Sequence, residues 1–434
     1  MNNSMSRWNL IMIGWTMVLT VYLQELAAQS RHPQKITVPI ERVATGRIIH
    51  RFHDTSPLSP SGKYFALFRM PFEDHYPEPG DWGEVLLVDR KTGDATIVGR
   101  SFGWEMQVGA NVQWGKDDSQ LFYNDVDTST WEAVTVLYNP LTKESRKLHG
   151  TMFMCASDGS QLVGHNLRNS FYAQSGYGVI VPDAYRQHHI GPVATDGIFV
   201  TDVTTNETRC VATIADIYQK ATPSVKIPNP QDYEYYCFKA MWNPQHTRIM
   251  TCLVLWPRDG GKRRVAIITL KPDGTDIHTA ITTQQYAKGG HHMAWMPDGE
   301  HISMNLNIND QKPALELVTF KYDGTELKEV FWPGSGHPSF HPKGLPWVVT
   351  DAYPSETSVT RGDGVVPIRL LNVKTGAELI IDEVETAKVK DNAFRLDAHP
   401  TWDRSGRYII YNSFDGGVRG VKMADVQQII YPIN

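Results

Sequence analysis

The chain has 434 residues, of which 41% are hydrophobic and 21% are charged, a composition typical of a globular protein with an extensive buried core. The formal net charge of −5 provides no basic excess, so the balance of charges argues against a nucleic-acid partner. The 12 tryptophans and 18 tyrosines suit both a strand-rich structure and the stacking of sugar rings.

The first 28 residues have the layout of a signal peptide. Residues 1–7 contain one arginine, residues 8–23 form an apolar run, and Ala28 is the expected last residue before cleavage. A membrane anchor is the alternative, but the 16-residue run is shorter than the roughly 20 residues that span a bilayer. No cysteine lies near the cleavage site, so a lipoprotein is not expected. We predict a mature chain of residues 29–434 that is periplasmic or secreted, with no stable membrane insertion after cleavage.

The four cysteines do not form a CxxC pair, which excludes a zinc ribbon. An oxidising compartment permits disulfides, but the spacing does not determine which cysteines would pair. The cysteines can equally be buried free thiols rather than disulfides. The four are Cys155, Cys210, Cys237 and Cys252.

A turn motif of the form aromatic-x-Pro-Asp-Gly, followed by alternating apolar residues, recurs along the chain. The clearest copy is WMPDGEHISMN at residues 295–305. Degraded copies bring the total to seven, at residues 58–68, 114–124, 155–165, 242–252, 295–305, 340–350 and 402–412. Each copy predicts a β-hairpin.

A second hairpin pattern alternates strictly with the first and also occurs seven times, for example VAIITLKPDGTDIHT at residues 265–279. Each pair of patterns supplies four antiparallel strands. Seven such units predict an all-β fold, a seven-bladed β-propeller in one domain over residues 29–434. Two separate β-domains are the alternative, but the spacing is even and no linker divides the chain. We expect residues 42–52 to pair with the last blade and close the ring.

In a propeller of this kind, the residue three positions before the turn aromatic begins the innermost strand, beside the central axis. The seven ring positions are Thr55, Asn111, Met152, Lys239, His292, His337 and His399. Three histidines at one repeat position can converge on a divalent metal ion (Mn, Ca or Zn), with Asp351 and Asp397 nearby as oxygen ligands. The alternative is three separate histidines, each hydrogen-bonded to neighbouring backbone.

The connections between strands two and three of each blade lie on the same face as this histidine ring. The longest one, residues 165–197 in the third blade, is rich in Arg, Tyr and His, which suits an anionic sugar. Its predicted substrate-binding residues are His165, Tyr172, Arg186, His188 and His189. The same loop contains Arg168 and Tyr177, although Tyr177 can equally serve as a packing residue beside a glycine turn.

Residues 289–306, 334–344 and 397–413 resemble the propeller polysaccharide lyases, which include oligogalacturonate lyases, ulvan lyases and related glucuronate-cleaving lyases. The resemblance is densest over residues 289–425 and weaker over most of the remaining mature chain. It implies a central metal held largely by histidine and β-elimination next to a uronic acid. That reaction requires neutralisation of the carboxylate, a base for the C5 proton and an acid for the departing O4.

The chain departs from this family at two ring positions, because Asn111 and Lys239 stand where the related enzymes often have histidine. Phe153 also stands in place of a family tyrosine. Asparagine cannot act as a base at neutral pH, whereas a buried lysine with a lowered pKa can. We therefore assign the predicted catalytic group as Lys239, Tyr177, Arg168 and Asn111, with Arg168 facing the carboxylate and Lys239 or Tyr177 acting as base or acid.

The leading hypothesis is a secreted lyase of a polysaccharide or oligosaccharide that contains uronic acid. The alternative is a non-catalytic propeller that binds an anionic sugar and keeps a structural metal at its axis. A protein-interaction propeller is a third possibility, but the histidine ring argues against it. A hydrolase is not supported, because the sequence contains no GxSxG motif. The oligomeric state is not predicted.

Overall fold

A computed structural model describes residues 33–386 and 392–432, and in these residues 29 strands form seven sheets. Six sheets contain four antiparallel strands, one sheet contains four antiparallel strands and a fifth parallel strand, and the sheets are the blades of a seven-bladed β-propeller. The predicted fold class is therefore confirmed. The predicted signal peptide, residues 1–28, lies outside the described residues.

The chain begins with two short strands that belong to the last two blades, β1 (Gln34–Lys35) and β2 (Ile40–Thr45). Blade one contains β3 (Ile48–Ile49), β4 (Tyr64–Arg69), β5 (Gly83–Asp89) and β6 (Ala95–Ser101). Blade two contains β7 (Gln113–Trp114), β8 (Leu121–Asp127), β9 (Glu132–Asn139) and β10 (Glu144–Leu148). Blade three contains β11 (Met154–Cys155), β12 (Gln161–His165), β13 (Gly197–Asp202) and β14 (Thr208–Thr213).

The remaining strands follow the same pattern. Blade four contains β15 (Tyr233–Trp242), β16 (Ile249–Pro257), β17 (Arg264–Leu270) and β18 (His278–Ile281). Blade five contains β19 (Gly290–Trp295), β20 (His301–Leu306), β21 (Glu316–Lys321) and β22 (Lys328–Phe331). Blade six contains β23 (Ser339–Phe340), β24 (Trp347–Thr350), β25 (Val365–Asn372) and β26 (Glu378–Glu385). Blade seven contains β27 (Thr401–Trp402), β28 (Tyr408–Asp415) and β29 (Val418–Asp425).

Helices are few and short in the described residues. The α-helices are α1 (Ser170–Ala173), α2 (Ile214–Lys220), α3 (Thr283–Ala287) and α4 (Gln427–Ile430). Single 3-10 turns occur at Asp183–Tyr185, Pro230–Asp232 and Asn392–Phe394. None of the helices in the described part of the chain has the length and apolar character needed to cross a membrane.

The chemistry of the repeated turn explains why the motif contains Asp and Gly. In the copy at residues 295–305, the Asp298 carboxylate accepts the backbone N–H groups of Glu300 and His301, each at 2.9 Å. Gly299 has a φ of +72°, a conformation that favours glycine. The short side chain and the glycine together form the tight turn between β19 and β20.

The aromatic residue of the repeat joins neighbouring blades. The indole N–H of Trp295 donates to the carbonyl of Met241 in blade four at 3.2 Å, and that of Trp402 donates to Ser339 in blade six at 3.0 Å. Trp114 makes the corresponding bond to Pro57 at 2.9 Å. A buried N–H is stabilised by an acceptor, so these three tryptophans fix their blades against the preceding ones.

The ring is closed by the N-terminal segment. Strand β2 is the outermost strand of blade seven and pairs antiparallel with β29, where Ile40 lies opposite Ala424. Strand β1 pairs in parallel with β26 at the edge of blade six. The predicted pairing of residues 42–52 with the last blade is confirmed for residues 42–45, which belong to β2. Ile48–Ile49 instead forms the innermost strand of blade one.

Deleting residues 33–45 is expected to lower the free energy of unfolding by about 3 kcal/mol or more, because the backbone hydrogen bonds between β2 and β29 are lost. The deletion also uncovers apolar side chains such as Ile410 and Val421 that pack near β2. Chemical denaturation of the two proteins measures the difference. The control Arg42→Ala removes only an exposed ion pair with Asp415 and should cost less than about 1 kcal/mol. Equal stability of deleted and full-length protein would contradict the closure.

All four cysteines are free thiols in the structure. Cys155, Cys237 and Cys252 are buried, and Cys210 is exposed. The alternative of free thiols is therefore the one observed.

Candidate metal centre and axial cavity

The ring positions have an unusual backbone conformation in four blades. Asn111, Lys239, His292 and His399 have positive φ angles of 57°, 60°, 55° and 48°. Residues other than glycine rarely adopt this left-handed region, so its recurrence at one repeat position indicates a shared structural purpose. In blade six the left-handed residue is Gly336, with a φ of 45°, immediately before His337.

This conformation brings three predicted ring histidines together. The ring centroids of His292 and His337 are 3.8 Å apart, and those of His337 and His399 are 4.3 Å apart. All three side chains are buried. Burial lowers the pKa of each imidazole well below its ordinary value, so the rings are neutral, which is the protonation state that a metal ligand requires.

The group with the geometry of a metal site consists of His337, Asp397 and His399, whose ligand atoms all lie within 4.8 Å of one another. The Asp397 Oδ2 atom is 3.7 Å from His399 Nε2 and 3.9 Å from His337 Nε2. Both ring nitrogens of His399 are buried without a hydrogen-bond partner. Unpaired buried nitrogens carry a desolvation cost that coordination would remove, so these residues fit a divalent cation.

Asp351 fixes the orientation of two of these residues. Its carboxylate lies 2.9 and 3.0 Å from His337 Nδ1, and it accepts the backbone N–H groups of His337 at 2.7 Å and His399 at 3.1 Å. A hydrogen bond on Nδ1 leaves the His337 Nε2 lone pair free for a metal, as in carboxylate–histidine–metal arrangements. Burial raises the pKa of Asp351 to about 6.

His292, predicted as a metal ligand, lies beside this group with both ring nitrogens near other protein atoms. Its Nδ1 is 2.7 Å from the Gly336 carbonyl oxygen and 2.8 Å from His291 Nδ1, and its Nε2 is 3.2 Å from the Tyr353 hydroxyl. Asp397 rather than His292 completes the compact ligand set. Because His292 is left-handed rather than extended, His291 does not point away from it as a straight strand would require.

The segment between β3 and the first turn lies beside the axial histidines, although its residues 50–52 were predicted to pair with the last blade. His50, Arg51, Phe52 and His53 are each at most 3% exposed. The Phe52 ring centroid lies 4.7 Å from that of His399 and 5.6 Å from that of His337. Thr55, which the repeat register placed on the ring, instead accepts a hydrogen bond from Arg51 at 3.0 Å. The irregular spacing before the first turn explains the difference.

A cavity of about 330 Å³ opens beside the histidines on the loop face of the propeller. Its charged and polar lining consists mainly of cations and phenols, and includes Lys239, Arg263, Arg395, His292, Tyr177 and Tyr353. Arg395 also forms an ion pair with Asp397, with Nη2 and Oδ2 2.7 Å apart. Such a lining favours a negatively charged ligand, and Arg395 connects the cavity to the metal group.

Lys239 is buried and its ammonium nitrogen lies 4.3 Å from the centroid of the Phe52 ring. Burial lowers the pKa of Lys239 to about 8. About one tenth of the lysine is therefore a neutral amine at pH 7 and about half at pH 8, and the neutral amine is the protonation state that a general base requires.

Tyr177 lines the same cavity and is held there by the following residue. The Gly178 N–H donates to the Glu105 carboxylate, and Gly178 has a φ of 91° in a place where an added Cβ would lie 2.4 Å from the Leu167 carbonyl oxygen. Burial raises the pKa of Tyr177, so its phenol stays protonated and can donate a proton.

Asn111, predicted in the catalytic group, uses its amide within the protein. Its side-chain oxygen accepts from Arg51, and its Nδ2 donates to the carbonyls of Met152 at 2.6 Å and Phe153 at 3.0 Å. Asn111 does not line the axial cavity in the described part of the chain. It joins the inner strands of blades two and three.

The other predicted residues of the long loop pack away from the axial cavity. Tyr172 lies against His188, whose Nδ1 is 3.0 Å from the Glu234 carboxylate. Three other predicted loop residues also have local partners: His165 bonds to Ser170, Arg186 donates to the Val181 carbonyl, and His189 lies beside Asp196. Arg168 is half-buried. The cations that line the cavity are Lys239, Arg263 and Arg395 instead. Loop positions such as Arg395 have no repeat signal that would reveal them.

Comparison with family models and with curated proteins finds no match. Solved structures give similar folds. An oligogalacturonate lyase in complex with manganese is 14% identical with a TM-score of 0.62, covering 92% of this chain and 96% of that one. An oligogalacturonate lyase from Vibrio parahaemolyticus is 15% identical with a TM-score of 0.61, covering 92% and 100%.

A third structure, the β-propeller domain of the Trilobed protease from Pyrococcus furiosus, is 9% identical with a TM-score of 0.51, covering 88% of this chain and 96% of that one. At these identities the likeness concerns the fold. The predicted resemblance to oligogalacturonate lyases is confirmed at that level, and the resemblance to ulvan lyases stays a prediction. The chain is a seven-bladed β-propeller similar in fold to oligogalacturonate lyases.

Proposed function

We propose that this protein is a lyase that cleaves an oligosaccharide or polysaccharide next to a uronic acid by metal-assisted β-elimination. The observation that carries the proposal is a metal-ligand group, His337, Asp397 and His399, next to a cavity lined by cations and phenols, with the lining residue Arg395 paired to Asp397. The similar fold of two oligogalacturonate lyases supports it by analogy.

The ligand group of two imidazoles and one carboxylate suits Mn²⁺ or Zn²⁺ better than Ca²⁺, which prefers an all-oxygen shell. We favour manganese because one similar structure contains it. When bound, the cation would act as a Lewis acid toward the uronate carboxylate and so acidify the C5 proton.

Three residues of the cavity supply the remaining requirements of the reaction. Arg395 lies beside the metal group and can pair with the substrate carboxylate. Lys239 as a neutral amine can remove the C5 proton, and the protonated Tyr177 can give a proton to the departing O4. This proposal transfers to Arg395 the role that the sequence assigned to Arg168.

The proposed substrate is an anionic sugar and the proposed location is periplasmic or secreted. The cations of the cavity support the first point. The signal-peptide layout of residues 1–28 supports the second.

The test is to incubate the purified protein with a panel of uronate polymers and oligomers. The ultraviolet absorbance of the unsaturated uronate product is followed over time. β-Elimination leaves a C4–C5 double bond next to the carboxylate, so a lyase produces a rising signal on its substrate. A chelator should abolish the rise, and added manganese should restore it. A flat trace over the whole panel, in protein shown by elemental analysis to contain metal, would instead favour a non-catalytic binding protein.

A further inference from the structure

Arg395, the cation that joins the axial cavity to the metal group, lies on the connection between blades six and seven rather than on a strand. The described part of that connection contains one 3-10 turn, Asn392–Phe394, and β27 begins only at Thr401. The pairing of strands therefore does not fix the position of this arginine. A side chain that must meet a ligand to within about 0.5 Å needs supporting contacts of another kind.

The Arg395 guanidinium contacts two groups of the proposed centre. It pairs with the Asp397 carboxylate through two atoms, because Nε is 3.0 Å from Oδ1 and Nη2 is 2.7 Å from Oδ2. It also interacts with the hydroxyl of Tyr177. A planar guanidinium that forms such a fork has a fixed direction, so a shift of its backbone would move the charge that faces the cavity.

Arg419 of β29 holds the backbone at this point. Its Nη2 donates to the carbonyl of Phe394 at 2.6 Å and to that of Arg395 at 3.4 Å. Arg419 is only 3% exposed, and its charge is balanced by Glu73 of the blade-one loop, with Nε and Oε2 2.9 Å apart. Hydrogen bonds from a charged donor are stronger than neutral ones. Blade seven therefore fixes the two residues that end in the cavity cation.

Two amide side chains hold the carbonyls on either side. Gln107 is buried in the connection between blades one and two, and its Nε2 donates to the carbonyl of Ala393 at 2.6 Å. Asn412 of β28 donates from Nδ2 to the carbonyl of Asp397 at 3.1 Å. The metal ligand Asp397 thus has its own anchor, separate from the one that Arg419 provides.

We propose that Arg419 is a positioning residue for recognition of the uronate carboxylate, which acts by holding Arg395 in the axial cavity. The inference rests on the proposed function, because it takes a uronate as the ligand of Arg395. Arg419 does not line the axial cavity in the described part of the chain, so its effect must pass through Arg395. Gln107 supports the preceding residue in the same way, with a smaller effect because its hydrogen bond is neutral.

The experiment is an NMR titration of the purified full-length protein with galacturonate and glucuronate in the presence of Mn²⁺, together with a titration of the metal-free protein with Mn²⁺. Arg419→Lys keeps a positive charge beside Glu73 but loses the planar fork. We expect uronate affinity to fall about tenfold. Mn²⁺ affinity should change less than about twofold, because Asn412 still holds Asp397.

Gln107→Leu is a second variant, with nearly the same volume and no change of charge. It should weaken uronate binding about threefold, since one neutral hydrogen bond is lost. It tests the same support should Arg419→Lys fail to fold.

Arg404→Lys is the matched control. Arg404 lies in the repeated turn of blade seven, and its Nη2 also donates to two neighbouring carbonyls of another blade, those of Trp114 at 3.2 Å and Gly115 at 2.6 Å. Its replacement should lower the thermal unfolding midpoint and leave uronate affinity unchanged. A loss of affinity that merely reflects destabilisation would appear in both variants.

A double-mutant cycle shows whether Arg419 acts through Arg395. Arg395→Gln should weaken uronate binding by itself, because the cation is lost. Adding Arg419→Lys to Arg395→Gln should then cause little further loss, whereas independent effects would multiply.

Four results would overturn the proposal. They are unchanged uronate affinity in Arg419→Lys, an equal loss in Arg404→Lys, independent losses in the double-mutant cycle, and the absence of uronate binding by the wild-type protein up to about 50 mM. Wild-type protein that binds a uronate and shows the expected pattern, but cleaves no uronate polymer, would refute the proposed lyase activity and leave the role of Arg419 supported.

Discussion

Replacing His399 by alanine is expected to abolish binding of the proposed metal and to lower the rate of the proposed β-elimination by at least about 100-fold. His399 is fully buried, and both of its ring nitrogens lack a partner within the protein. Its removal leaves His337 and Asp397 as a pair, which is too few ligands to hold a divalent ion firmly. Elemental analysis of the purified variant and an initial-rate assay on the identified substrate measure the two effects.

The matched control is His301→Ala, because His301 is a half-buried histidine that bonds to Asp298 in a turn of blade five. It should keep full metal content and rate. A His399 variant that retains one metal per chain would contradict the assigned ligand set, whatever its activity. A variant that loses its metal but keeps its rate would instead contradict the role of the metal in the reaction.

Replacing Lys239 by methionine is expected to lower kcat by about 100- to 10,000-fold while KM and metal content change little. Methionine has nearly the same length as the lysine stem, so it keeps the packing against Phe52 and removes the amine. Steady-state kinetics separate the two constants. The control Lys288→Met changes an exposed lysine paired with Asp310 and should leave kcat unaltered.

The pH dependence gives an independent test of the same residue. A base must be unprotonated, and burial lowers the pKa of Lys239 to about 8. The wild-type rate should therefore rise with pH and level off above about pH 8, whereas a residual rate in Lys239→Met should lack this rise. A limb with a pKa near the ordinary value of a histidine that persists in Lys239→Met would assign the base to another group.

The fold could be predicted because the repeated turn is a local signal. Asp298 and Gly299 form their turn through neighbouring backbone atoms, and Trp402 is placed by its bond to the preceding blade. Seven copies of such a unit leave few arrangements other than a closed ring. The ring positions of His292, His337 and His399 followed from the same register.

The rest of the site could not be read from the repeat. Asp397 was predicted as an oxygen ligand because it is two residues from His399, but Arg395 lies in the connection before β27 and Arg263 in the loop before β17, where the repeat sets no register. His53 and Phe52 reach the axis through an irregular segment. Conversely, the Arg and His content of residues 165–197 suggested a binding loop, but Arg186 and His188 pair locally instead. Composition indicates which groups a loop contains and not the direction in which they point.

The pairing of β2 with β29 also has a consequence for the order of folding. Strand β2 lies near the N-terminus but can take its final place only after the last blade has formed. Its contacts with β29, which join residues far apart in the sequence, must therefore be made late. High contact order of this kind slows folding and prolongs the lifetime of an open ring. While the ring is open, the edge of β29 is unpaired and can accept β2 from another molecule. Refolding at high concentration should therefore yield strand-swapped dimers that dilute refolding avoids.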